Sequence, residues 1–124
     1  MTTSADVHLR GASGPVRARA RWPVADEPGV LLLFHVGEPC PHIVRPDVLV
    51  LEVCLDPPHE SAVRDAAAVL GWVADHAAEL GAAPARLTVA GRGAGAAVAA
   101  AVVRSARAEG WPEVALETNE RTSK

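Results

Sequence analysis

Between Val16 and Trp22 the chain reads V-R-A-R-A-R-W. This strict alternation puts Val16, Ala18, Ala20 and Trp22 on one face of a strand and three arginines on the other. Gly11–Gly14 before it has turn composition, and Asp6–Arg10 is the expected hairpin partner. Gly29–His35 and Asp47–Cys54 are short, continuously apolar runs bounded by proline and glycine, the pattern of strands buried on both faces of a parallel sheet. From an expected N-cap at Ser61 to a stop near Gly81, Val63, Ala66, Ala67, Leu70, Val73, Ala77 and Leu80 recur at helical spacing, with Arg64, Asp75 and Glu79 elsewhere. That predicts a helix laying one face on the sheet. Arg86–Ala90 then reads as a strand, Gly91–Gly95 as a glycine-rich turn, Gly95–Glu109 as an apolar helix stopped by Gly110, and Glu113–Glu117 as a last strand. Strands alternating with helices indicate an α/β fold with a mostly parallel sheet and an antiparallel N-terminal edge. A single domain is expected over residues 1–117, followed by a polar, disordered tail over 118–124.

Composition narrows the function classes. The chain has 124 residues, 49% hydrophobic and 22% charged, with three tryptophans and one phenylalanine as its aromatics. One core with close backbone packing is expected, not an aromatic-lined pocket. The net charge is −3 and the twelve basic residues form no run, so nucleic acid is not an expected partner. Cys40 and Cys54 are too few for a disulfide scaffold, and the N-terminus lacks signal-peptide regions. A soluble, cytoplasmic protein is expected. The apolar stretches Leu31–Phe34 and Ala94–Val103 fall far short of the roughly 20 residues of a membrane span.

The segment L-T-V-A-G-R-G-A-G-A-A (Leu87–Ala97) sits between a strand and a buried helix, where α/β-hydrolases carry the G-x-S-x-G nucleophile elbow. G-P-V-R-A-R-A-R-W-P (Gly14–Pro23), L-L-L-F-H-V-G (Leu31–Gly37), V-L-V-L-E-V-C-L-D-P-P-H (Val48–His59) and R-D-A-A-A-V-L-G-W-V-A-D-H-A-A-E-L-G (Arg64–Gly81) precede it in order. Together they resemble the hormone-sensitive-lipase-like branch of that superfamily over about the first 117 residues. Three departures stand against the family pattern. The resemblance implies G-D-S-A-G-G at the elbow, and the chain has Gly91, Arg92, Gly93, Ala94, Gly95 and Ala96, with no hydroxyl to form an acyl-enzyme. It implies H-G-G-G after the third strand, and the chain has His35, Val36, Gly37 and Glu38, whose carboxylate would oppose an oxyanion. The acid and histidine of the triad come after later strands in the family, beyond the region of resemblance. The chain is therefore expected not to be a working serine hydrolase but a truncated, degenerate relative, a pseudoenzyme acting as a dimeric binding or assembly module.

Other chemistries fit some of the same residues. Gly91–Ala96 also matches G-x-G-x-x-A with Glu117 after the next strand, the outline of a dinucleotide-binding unit, although no second nucleotide half follows. Gly91, Arg92, Gly93, Ala94 and Gly95 could instead hold a small anion on helix N-terminal amides, or serve close packing alone. Cys40 and His42 follow one central strand, and Cys54, Asp56 and His59 follow its neighbour. With His35 these are the candidates for an altered, thiol-based mechanism of hydrolase or transferase type at the carboxyl edge of the sheet. Their spacing is not a standard metal signature, and no cofactor is expected. His76 is expected to face solvent, Trp72 to anchor packing or an interface, and Trp111 to cap the loop before the last strand.

Val36–Pro46 has no helical periodicity, so the family's crossover helix is missing there and both expected helices should cover one sheet face. The other face would then expose more than a few hundred Å² of apolar surface. A homodimer packed through that face, or pairing through the last strand, or a related hydrolase-like chain, is the expected remedy.

Overall fold

The computed structural model of the chain describes residues 3–24, 28–37, 45, 47–83 and 86–117. Elements follow in the order β1 (Thr3–Arg10), β2 (Pro15–Trp22), β3 (Gly29–Val36), β4 (Val48–Leu55), α1 (His59–His76), β5 (Leu87–Gly91), α2 (Ala94–Glu109) and β6 (Ala115–Leu116). One six-stranded sheet has the order β1-β2-β4-β3-β5-β6. β1, β2 and β4 pair antiparallel, while β4, β3, β5 and β6 run parallel. This is the mixed α/β architecture that the alternating pattern predicts. The polar tail, Glu38, Cys40 and His42 lie outside the described residues.

Local sequence explains most element boundaries and corrects several. β1 starts at Thr3, because Thr3–Ala5 continue the ladder onto Trp22–Ala20. α1 starts before Ser61, which is not its cap: the N-cap is Pro58, without a side-chain cap bond, and Glu60 occupies the first turn. Proline lacks the N–H that a first turn leaves unsatisfied, and the carboxylate suits the positive end of the helix dipole. Regular helix ends at His76, yet the path closes at Gly81: Ala82 N–H donates to Ala77 O (2.9 Å) and Gly81 N–H to Ala78 O (3.0 Å), with Gly81 at φ +83°. These two bonds form a Schellman cap. α2 also closes on a left-handed glycine, Gly110 at φ +80°, but there Gly110 and Trp111 N–H both donate to Ala106 O. β6 is confined to Ala115–Leu116, shorter than the expected Glu113–Glu117.

Both helices pack on one face of the sheet. Leu32, Phe34, Leu49, Leu51, Val53 and Val89 meet Ala66, Val69, Leu70 and Val73 of α1 and Val98, Val102 and Val103 of α2 in a single buried cluster. Ala67, expected on the sheet side, is exposed. Trp22 Nε1–H donates to Leu80 O at 2.8 Å, fastening the end of β2 to the end of the α1 path. Trp72 stacks on His76 with ring centroids 4.1 Å apart, and His76 Nδ1–H donates to Trp72 O at 2.7 Å. His76 is thus half-buried against its own helix, not simply solvent-facing. Trp111 is 51% exposed.

The opposite face is not bare. Leu31, Leu33, Val50 and Ala90 form a second cluster, each at most 4% exposed within the single chain. Val24 and Trp111 are the exposed large hydrophobics among the described residues. The expectation of an uncovered apolar face is therefore corrected: an absent crossover helix does not by itself leave these side chains in water. No helix among the described residues is long and apolar enough to cross a membrane.

Because Leu33 is buried within the single chain, Leu33→Ala should cost about 2–5 kcal/mol in chemical denaturation, comparable to Leu32→Ala on the helix side. A cost near zero for Leu33→Ala alone would show that its face is open.

Candidate functional site

The turn that closes β5 and opens α2 is built on two glycines. A Cβ on Gly95 would overlap the backbone carbonyl of Phe34, and one on Gly91 would overlap the backbone of Gly95 and Ala96. Main chains of β3, β5 and α2 thus approach as closely as atoms allow, and only residues without a Cβ fit. Between these glycines Gly93 is the N-cap of α2, at φ +56° and ψ −126° with no side-chain cap bond. An L side chain carried there is strained. Gly95 N–H donates to Arg92 O (2.7 Å) and Ala96 N–H to Gly93 O (3.1 Å), which tightens the turn. The geometry is the sharp strand-to-helix elbow of a nucleophile site, with hydrogen where the nucleophilic side chain would stand.

An oxyanion hole needs preorganised donors facing that position. Ala94 N–H, in the first turn of α2, has no intrahelical acceptor and could serve as one. The neighbouring loop offers less. Gly37 N–H donates to Leu55 O at 3.0 Å, so this amide extends the β3–β4 ladder. Glu38 lies outside the described residues.

The cysteine and histidine candidates do not assemble into one site. Cys54 is disulfide-bonded, so it carries no thiol to ionise. It is the register partner of His35, and by strand alternation both belong to the face away from the helices. His35 is 1% exposed, with Nε2 3.5 Å from Oε1 of Glu52. His59 is exposed at the start of α1, the helix covering the other face. Cys40 and His42 lie outside the described residues. Among the described residues no three of His, Cys, Asp and Glu come together to hold a metal ion, and nothing there assembles a second nucleotide-binding half beside Gly91–Ala96.

Two features escape a pattern reading. The first is a buried ionic cluster: Glu52, with a fully buried side chain, lies 3.9 Å from Arg21 Nε and 3.5 Å from His35. The one visible sign is a carboxylate interrupting the apolar run Val48–Leu55. Burying a carboxylate requires polar partners, and the strands flanking β4 supply them, the Arg21 guanidinium from β2 and the His35 imidazole from β3. The second is a cleft where β2 and β4 part, lined by Ser13, Arg17, Asp56 and Asp65. No sequence signal marks it, because it arises from divergence of two strands far apart in the chain.

Comparison with known proteins agrees with this geometry. Residues 56–118 match a family model described as alpha/beta hydrolase fold. The chain is 32% identical to Esterase LipI of Mycobacterium tuberculosis, over 90% of this chain and 41% of that protein. It superposes with a TM-score of 0.75 on the crystal structure of DphMB1, at 32% identity, covering 94% of this chain and 44% of the other. It also superposes with a TM-score of 0.71 on EstE1, a thermostable carboxylesterase cloned from a metagenomic library, at 33% identity, covering 87% and 42%. The chain thus spans about two-fifths of the length of the relatives it matches.

Because Cys54 is oxidised, thiol alkylation of the native, unreduced protein should leave Cys54 unmodified in peptide mass spectra, and alkylation after reduction should modify it. Labelling without reductant would return Cys54 to the list of nucleophile candidates.

Proposed function

Because the chain belongs to the α/β-hydrolase fold family, in its hormone-sensitive-lipase-like branch, we propose that it is a catalytically silent member that acts as a binding or assembly module. The observation that carries this reading is Gly93. It occupies the elbow position at the positive φ that a nucleophile would hold there and has neither hydroxyl nor thiol, so no acyl-enzyme can form there. The commitment of the Gly37 amide to Leu55 supports the same reading, since a hole left with Ala94 N–H alone stabilises an oxyanion poorly. Esterase chemistry of the kind LipI and EstE1 are named for would need both features back.

Assembly with a second copy of the chain, or with a related hydrolase-like chain, is part of this proposal. Burial of the second apolar cluster moves the expected contact from the face of the sheet to its edge. What supports it there is β1, an eight-residue strand at the end of the strand order, since an edge strand of that length offers unpaired backbone groups to another chain.

The purified chain should neither react with a fluorophosphonate probe nor hydrolyse p-nitrophenyl acetate above background. Ester turnover that purifies with the protein would overturn the reading. Gly93→Ser should cost about 1–3 kcal/mol of stability through its positive φ and gain no turnover.

Light scattering at micromolar concentration should give the mass of a dimer. A monomer would remove the assembly half and leave ligand binding as the function.

A further inference from the structure

A cleft of about 440 Å³ opens beside the carboxyl end of β4, a size suited to a small ligand. Strand pairing explains its origin. β2 and β4 pair from Arg21 and Val50 to Ala18 and Val53, although β2 runs back to Pro15 and β4 on to Leu55. Past Ala18 the strands diverge, and main chain on both sides is left without a ladder between them. Asp65 of α1 fixes the turn that forms the outer wall: its Oδ1 accepts from Ala12 N–H (2.9 Å), Ser13 N–H (3.2 Å) and Ser13 Oγ (3.3 Å).

Two opposite charges line this cleft without using each other. The Arg17 guanidinium and the Asp56 carboxylate are exposed. Neither makes an ion pair within 4.0 Å or a side-chain hydrogen bond among the described residues. A simple anion would meet Asp56 and Asp65. A metal cation would meet Arg17 and find no third carboxylate, histidine or cysteine arranged to hold it. A molecule carrying both charges can meet both groups.

We propose that the cleft between the diverging ends of β2 and β4 binds a short zwitterionic peptide. Its ammonium sits on Asp56, its carboxylate on the Arg17 guanidinium, which can engage it with two parallel bonds, and its amide lies along the open strand ends. β3 separates this cleft from the Gly93 elbow in the strand order. The proposal therefore goes beyond the reading of the elbow and does not depend on its silence.

Calorimetric titration of the full chain with alanyl-alanine tests the idea. Saturable binding is expected. N-acetyl-alanyl-alanine, which lacks the ammonium, and alanyl-alanine amide, which lacks the carboxylate, should each bind at least about tenfold more weakly. Free alanine, whose charges sit close together, should also bind more weakly. Asp56→Asn and Arg17→Gln should each reduce dipeptide affinity by a similar factor while leaving the melting temperature unchanged. Absence of saturable dipeptide binding, equal binding of either blocked form, or full affinity in both variants would overturn the proposal.

Discussion

Everything around the elbow depends on how closely three stretches of main chain approach. α2 begins where Gly95 lies against the carbonyl of Phe34, and Gly91 lies against Gly95 in turn. That contact sets the distance between the helix layer and β3, and so determines which side chains can fill the space beneath: alanines and valines along α2, with Val98, Ala99, Val102, Val103 and Ala106 buried. The alanine richness of the C-terminal half follows from this spacing, since larger side chains would hold helix and sheet apart. The outer glycines of the motif are thus a packing requirement whether or not chemistry occurs between them. The middle position is different: a serine there carries strain for the sake of catalysis, and a glycine carries none. A family member without the nucleophile can keep the shape of the elbow unchanged.

The sheet is organised around a second constraint, the burial of β3 and β4 on both faces. On the helix side apolar side chains satisfy it completely. On the other side the apolar cluster ends at a carboxylate, and Arg21 and His35 converge on Glu52 from the two neighbouring strands. Removing Arg21 would leave the buried Glu52 carboxylate without its guanidinium neighbour, a change far costlier than losing an exposed pair such as Asp6–Arg19.

The sequence made the layer order legible because hydrophobic periodicity reports burial, and burial is what layers consist of. The two-faced strands, the alternating β2, the two helices and the glycine elbow all follow from side chains close together in the chain. Helix limits were less legible at the start of α1, where entry through Pro58 replaces the expected cap at Ser61, whereas the stop at Gly81 was legible from the glycine itself. The covered second face was misread because local pattern predicts which side chains want burial and is silent on which segment provides it. The candidate site was legible at Gly93, whose meaning lies in one residue. It was not legible among the cysteines and histidines, where proximity at the sheet edge could be guessed but face and oxidation state could not. Glu52 and the β2–β4 cleft depend on strands distant in sequence, and no local pattern encodes them.

The arginine side of β2 has a last implication, for tolerance to insertions and deletions. Arg17, Arg19 and Arg21 share a face only because each is two residues from the next, while Val16, Ala18 and Ala20 face the helices. Losing one residue within the strand would rotate everything beyond it by half a pleat, driving guanidinium groups under α1 and taking Arg21 away from Glu52. Point substitutions along β2 change one environment at a time, whereas a change in length changes them all together. In descendants of this sequence, length variation should therefore collect in the Gly11–Gly14 turn and leave the strand itself untouched.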